Sequence, residues 1–147
     1  MPFPNPIQKS TSINAPASKV WAVLTKAELI KEWLSEVGIT VSTDWKIGSS
    51  IIYSGNWHGI EYKDKGTVLK YEPEKVLQYN NWSCLSQLPD EPENYSVMEF
   101  QLVENDSQTQ LMLLYSNFAT EVMYLHYNFY WEATLGIIKK MAEVLPP

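Results

Sequence analysis

The sequence predicts an α+β fold in which a curved antiparallel sheet of about six to seven strands wraps around a long C-terminal helix, with two short helices after the first strand. Three observations carry that expectation. Apolar and polar residues alternate in successive segments through the middle of the chain, which is the period of half-buried strands. Those segments follow one another without intervening helices, favouring an antiparallel sheet over a parallel α/β arrangement. Finally, Thr120 to Leu145 holds no Pro and a single Gly, Gly136, and places Tyr127, Tyr130, Trp131, Thr134, Ile138, Met141 and Leu145 at helical spacing.

Taken in order, Ile7 to Ile13 reads as the first strand, ended by Pro16. Pro at a helix entry presets φ without wasting a needed N–H, so a helix is expected from about Ala17 to Leu24, with Val20, Trp21 and Leu24 on one stripe. Thr25-Lys26-Ala27-Glu28 reads as a capping box that starts a second helix carrying Leu29, Ile30 and Trp33, which Gly38 ends. The period then changes to two. Ile51, Tyr53 and Trp57 share one face of a strand punctuated by Gly48 and Gly59. Tyr62-Lys63-Asp64-Lys65-Gly66 reads as a turn before a strand Thr67 to Tyr71, and Glu72 to Lys75 turns the chain into a strand Val76 to Trp82. Within this last strand Tyr79 and Trp82 fall on opposite faces unless a bulge intervenes. After the acidic loop Pro89 to Asn94 come strands Tyr95 to Val103 and Thr109 to Tyr115, joined by a turn rich in Asn, Asp and Ser. Met98, Phe100 and Leu102 should face the core with Leu111, Leu113 and Tyr115.

At 147 residues the chain fits one domain, 1–147, able to bury a sizeable core without metal or disulfide. The formal charge of −6 argues against a nucleic-acid partner, whose affinity would come from clustered Lys and Arg. Cys84 is the only cysteine, so no intrachain disulfide forms, and a small buried hydrophobe describes it best. No secretory apolar core opens the chain and no uninterrupted apolar stretch reaches the length of a membrane span, so a cytoplasmic protein is expected.

Nine Tyr, six Trp and four Phe supply the walls of a candidate ligand cavity between sheet and last helix. Tyr53, Trp57, Tyr79 and Phe100 are assigned to its sheet side, with Trp82 in the same aromatic cluster; Tyr127, Tyr130, Trp131 and Thr134 are assigned to its helix side. Core packing is the competing reading of these aromatics, and Trp21, Trp33 and Leu135 are left to the core. His58 and His126 are too few for a metal site, and His126, the one candidate acid or base, is turned away from Tyr127 by the helix and reads as exposed. Glu61, Glu99 and Glu132 read as solvated surface carboxylates. No nucleophile elbow surrounds any Ser, no Gly-rich phosphate cradle is present, and no cofactor is expected. Phe129, Ile137 and Val144 lie outside the main helical stripe, which suggests packing on another copy, on a partner, or under the N-terminal segment.

Over nearly its whole length, Ile7 to Leu145, the chain resembles the activator of heat shock protein 90 ATPase-like family of the START-like (SRPBCC), birch-pollen-allergen-like helix-grip superfamily. The opening residues Ile13, Ala15-Pro16, Val20-Trp21, Leu24-Thr25, Leu29-Ile30 and Trp33 carry the resemblance most specifically. Gly66-Thr67-Val68 with Pro73 and Leu77, Thr109 to Leu113, and Trp131 with Leu135 and Ile138 extend it. The chain departs from the family by bearing Tyr130-Trp131 for Gly-Trp and Tyr127 for the usual His, so its cavity should be narrower or reshaped. The resemblance implies a helix-grip fold with a ligand-sized hollow and three functions to weigh. The leading expectation is non-catalytic binding of a small hydrophobic or amphipathic molecule, such as a lipid. The alternatives are a co-chaperone that stimulates a heat-shock chaperone ATPase in a stress response, and a polyketide cyclase- or hydrolase-like enzyme using a pocket Tyr or His126. A chaperone and a second copy of the chain join the small molecule as expected partners.

Overall fold

Strand periodicity through the middle of the chain is realised as one antiparallel sheet gripping one long helix. The structure is a computed structural model describing residues 6–34, 40–57, 59–83 and 86–146, the side chains of Trp57 and Tyr62 apart. The expectations placed on Gly38, His58 and Cys84 lie outside the described residues. The elements run β1 (Ile7–Ile13), α1 (Ala17–Thr25), α2 (Ala27–Trp33), β2 (Thr40–Ser42), β3 (Ser50–Trp57), β4 (Ile60–Glu72), β5 (Val76–Ser83), β6 (Ser96–Asn105), β7 (Gln108–Ser116) and α3 (Glu121–Val144), with a 3-10 turn at Pro92–Asn94. Sheet order is β1-β7-β6-β5-β4-β3-β2. The first strand thus pairs with the last, Ile7 opposite Tyr115 and Ile13 opposite Thr109, and the rest form a meander. No helix among the described residues is long and apolar enough to cross a membrane.

Period two sorts the strands as expected. Met98, Phe100 and Leu102 lie opposite Tyr115, Leu113 and Leu111, and all six are buried on the concave face. The β6–β7 hairpin closes through Asp106 and Ser107 at φ 51° and 66°, the twin positive values of a two-residue primed turn that matches strand twist. Thr120 caps α3 by accepting from the Met123 amide at 3.2 Å. Within α3 only Trp131, Thr134, Leu135, Ile138 and Ala142 are buried. The C-terminal half therefore packs on the sheet and on α1, and the N-terminal half stands over a hollow.

Three local expectations are corrected. Thr25 does not open a capping box with Glu28: it is the last residue of α1 and its hydroxyl donates to the Trp21 carbonyl at 2.7 Å, while Lys26 stands at the α2 N-cap without a side-chain bond. The back-bond within α1 satisfies the hydroxyl first. Second, Tyr62 to Gly66 is not a turn but the middle of β4, because the chain reverses earlier, at Gly59 (φ 85°), whose amide donates to Asn56 Oδ1 at 2.8 Å. Charged residues suit this strand because Lys63 and Lys65 alternate away from the concave face. Third, Glu99 lies on the convex face, yet it is buried there, accepting hydrogen bonds from Lys70 at 3.1 Å, from Gln78 at 2.9 Å and from Gln101. Long polar neighbours on adjacent strands cover it, which residue type alone could not show.

The short strand β2, pairing on β3 through Val41 and Tyr53, was not expected from its three residues. The bulge falls on β4, where the register moves by one between Val68 and Lys70, so both Val68 and Tyr71 point inward. β5 itself is regular, and Trp82 stays on the convex face, opposite Lys65, whose ammonium lies 5.8 Å from the indole centroid. Trp82 therefore leaves the aromatic cavity cluster.

Distant carboxylates stitch the helices to the sheet. Pro16 offers no side-chain cap to α1, and Glu104 of β6 accepts from the Ala17 amide at 2.6 Å instead. Glu143 accepts from the Asn14 amide at 2.8 Å, while Lys139 donates to the Ser12 carbonyl at 2.6 Å and pairs with Glu143 at 3.0 Å. The Asn14 amide, then Lys139, holds the Glu143 carboxyl below its ordinary value.

Gly66 lies close against β5: a Cβ there would lie 1.8 Å from the Asn80 carbonyl oxygen. Gly66→Ala should accordingly destabilise the fold by about 1–3 kcal/mol, read as a lower urea midpoint at unchanged slope. An unchanged midpoint would show that the two strands separate without cost.

Candidate functional site

The hollow under the N-terminal half of α3 is a cavity of about 480 Å³, within the size range of small-molecule sites. Its floor comes from four neighbouring strands. Tyr53 of β3 lies opposite Asp64 of β4, and Asp64 lies opposite Ser83 of β5. Period two then brings Asn81 and Tyr79 of β5 onto the same face, and Met98 of β6 lies opposite Tyr79. Tyr127, Tyr130 and Trp131 form the roof, with Met123 and exposed His126 at the mouth.

Packing fixes the walls. Trp131 is held edge-on against Phe100, with ring centroids 5.8 Å apart, and tilted against Trp33 at 5.7 Å. Trp33 is in turn anchored by its indole N–H, which donates to the Val23 carbonyl at 2.8 Å. Tyr130 turns its hydroxyl to the Leu34 carbonyl at 3.2 Å and lies beside the His126 ring, centroids 6.1 Å apart and nearly parallel. Tyr127 packs on Tyr115 at 5.2 Å, and the Tyr115 hydroxyl accepts from Ser96 at 3.1 Å.

The polar tips inside are mostly phenols kept neutral. Burial pushes Tyr79 and Tyr115 well above the ordinary tyrosine value. Tyr53 is raised by burial too, with the Asp64 charge adding to it, and Tyr127 is pushed up to about 12 by burial first and the Asp64 charge second. Each hydroxyl can therefore donate and accept without carrying charge. Asn81 Oδ1 is buried and finds no hydrogen-bond partner among the described residues. No group of three His, Cys, Asp or Glu able to hold a metal ion occurs among them either.

Of the residues assigned to the cavity from the sequence, Tyr53, Tyr79, Tyr127, Tyr130 and Trp131 line it. Phe100 and Thr134 do not. Phe100 is fully buried behind Tyr79 and Trp131, and the Thr134 hydroxyl donates to the Tyr130 carbonyl at 3.0 Å within the packed part of α3. The Trp57 side chain lies outside the described set. Trp33, left to the core by its spacing, is both core and cavity wall. Asp64, Asn81 and Ser83 were missed. Reading β4 as one long strand would have found Asp64, because Val68 and Asp64 then share a phase.

Titration follows from this burial. A phenol whose folded pKa is raised contributes stability that is complete below the unfolded value, near 10, and is lost as pH rises through the folded one. Stability should therefore fall between about pH 10 and 12 as the unfolded state releases protons that Tyr53, Tyr79, Tyr115 and Tyr127 retain. Ultraviolet titration should show these phenols ionising only with unfolding; all nine tyrosines ionising together near 10 in a folded protein would contradict it.

The chain is similar over 97% of its length and 97% of the other's to ChR145 from Cytophaga hutchinsonii, at 39% identity and a TM-score of 0.83. CalU16 from Micromonospora echinospora shares the fold at 22% identity and a TM-score of 0.71, with 95% of this chain and 76% of that one covered. The Aha1 dimer from Colwellia psychrerythraea shares it at 24% identity and a TM-score of 0.72, with 95% and 97% covered. A search of curated protein sequences finds no match. With an antiparallel sheet gripping α3 and a family model matched across residues 14–143, the chain belongs to the activator of Hsp90 ATPase homolog 1-like protein family.

Proposed function

We propose that the protein binds a small hydrophobic or amphipathic molecule, without catalysis, in the cavity between the sheet and α3. The observation that supports this most is the division of α3 into a packed C-terminal half and an N-terminal half raised over about 480 Å³ of aromatic-lined space. Core packing would have closed such a volume, since proteins tolerate few large voids. Apolar walls supply affinity and the phenols orient a polar end. Aromatic and apolar side chains make up most of the described lining, which supports binding ahead of cyclase or hydrolase chemistry.

Native mass spectrometry of the purified protein, with solvent extraction of any bound species, tests this directly. Nile red, a neutral dye that brightens in apolar sites, should bind the wild-type protein, and Met123→Trp at the mouth should reduce its affinity about tenfold or more while circular dichroism stays unchanged. A clean apo mass together with no dye binding would overturn the reading.

A second reading is partner-based, a co-chaperone that stimulates a heat-shock chaperone ATPase through its surface. It is favoured by the family and by the exposed apolar stripe Val122, Leu125 and Phe129 along α3, with Phe129 83% exposed. The Colwellia neighbour is described as a dimer, which supports a second copy as the other candidate partner. Phe129→Asp should leave stability within about 0.5 kcal/mol of wild type and abolish any stimulation of chaperone ATPase turnover. Stimulation unaffected by the variant would remove the stripe from that role.

A further inference from the structure

The solvent side of α3 carries an apolar line along its whole length. Val122, Leu125, Phe129, Ile137 and Val144 are exposed there, and Ala133, Gly136 and Lys140, also exposed, fill the spacing between them. The line matches itself when read in opposite directions: Ala133 lies midway between Val122 and Val144, and midway between Phe129 and Ile137. Its shape matches too. Phe129 projects as a large knob, whereas a Cβ on Gly136 would meet nothing within 4 Å, so the helix presents an open dent two turns further on. Charge does not oppose the meeting of two such acidic chains at this face. Glu132 is drawn to Lys9 of β1 at 2.6 Å, and Glu143 to Lys139 and the Asn14 amide, so the carboxylates flanking the line are held by their own domain. Lys140 is the one charged residue on the line itself, and its hydrocarbon stem covers apolar surface.

We infer that this face of α3 is the seam of a homodimer in which two copies of the helix run antiparallel about a twofold axis at Ala133. Val122 then meets the partner's Val144, and Phe129 seats over the partner's Gly136 and against the partner's Ile137; the small side chain at the axis lets the two helices approach closely. The exposed apolar side chains of the line present on the order of 500 Å² per copy, so pairing removes on the order of 1,000 Å² in all, the low end for a specific interface. A reversible dimer follows, not an obligate one. Because Val122 also borders the cavity, the partner's Val144 lies at its mouth. This inference rests on the stripe being a partner surface and commits that surface to a second copy.

Sedimentation equilibrium of the wild-type protein, from about 1 to 500 μM, tests it: the apparent mass should rise from 16.9 kDa toward twice that value, with a Kd on the order of 10–100 μM. Phe129→Asp should weaken the dimer about tenfold or more, and Gly136→Leu, which fills the dent with a better helix former, should weaken it by a similar factor while the monomer stays folded. Ala133→Cys should form an intermolecular disulfide under mild oxidation, with the wild-type protein, whose one cysteine is Cys84, as the control. Val122→Cys should cross-link with Val144→Cys in a mixture and not with itself. A dimer that neither Phe129→Asp nor Gly136→Leu weakens, or one in which Ala133→Cys gives no cross-link, overturns the antiparallel seam. A mass of one chain at every concentration overturns the dimer. If Phe129→Asp then still abolishes chaperone stimulation, the stripe stands as a surface for that partner; if it does not, both readings of the stripe fall. The wild-type mass needs no variant, and the cavity reading is untouched by either result.

Discussion

Everything distinctive about the molecule turns on how Trp131 is seated. Its indole is wedged between Phe100 on the sheet and Trp33 on α2, with ring centroids 5.8 and 5.7 Å away. A large ring fixed at that point sets the distance between α3 and the sheet. Behind it, Leu135, Ile138 and Ala142 close down onto the core at successive turns. Ahead of it, tyrosines reach across the gap rather than filling it, and the helix overhangs a cavity. Trp33 enters the same arrangement from α2 and is locked by its bond to Val23, so the two short helices act as a prop for the long one. Closure of β1 on β7 and the clasp of Lys139 and Glu143 onto the β1–α1 connection hold the far end of α3.

Electrostatics inside that cavity are simple because burial forbids most charge. The phenols remain protonated, the amide of Asn81 is neutral, and His126 stays at the exposed mouth. Asp64 is the one Asp, Glu, Lys or Arg among the described residues that line the cavity. The acidic exterior of the chain and the acidic spot in the cavity are separate facts. The first concerns long-range encounter, whereas the second is confined to the cavity floor. Leu125 and Phe129 belong to a third surface, on the solvent side of α3, while Val122 of the same stripe also borders the cavity.

Much of the fold could be read from the chain because its signals are local. The helical stripe of α3, the Pro16 entry to α1 and the alternation of β6 and β7 each lie within one segment and depend only on the geometry of that segment. Errors arose where one local signal competed with another. Thr25 and Glu28 have the spacing of a capping box, but an earlier helix had already claimed the hydroxyl. Charged residues in β4 resembled a turn, yet alternation lets a strand hold Lys63 and Lys65 on the side opposite Asp64. Glu99 has a residue type that belongs in water, and only the neighbouring strands show that Lys70, Gln78 and Gln101 enclose it.

The sequence by itself determined the class of fold, the order of its elements and five of the aromatic residues around the cavity, since hydrophobic period and ring-bearing side chains are written in consecutive residues. Tertiary structure alone decided that Asp64, Asn81 and Ser83 share the floor, that Glu104 caps α1, and that Phe100 and Thr134 stand behind the walls. The physical reason for the floor is register, since a shift of one residue such as the bulge between Val68 and Lys70 changes which side chains meet across three strands, while the Glu104 bond joins residues 87 positions apart in sequence. Pairing of that kind is set by the packing of the whole sheet around Trp131, and no single segment carries it.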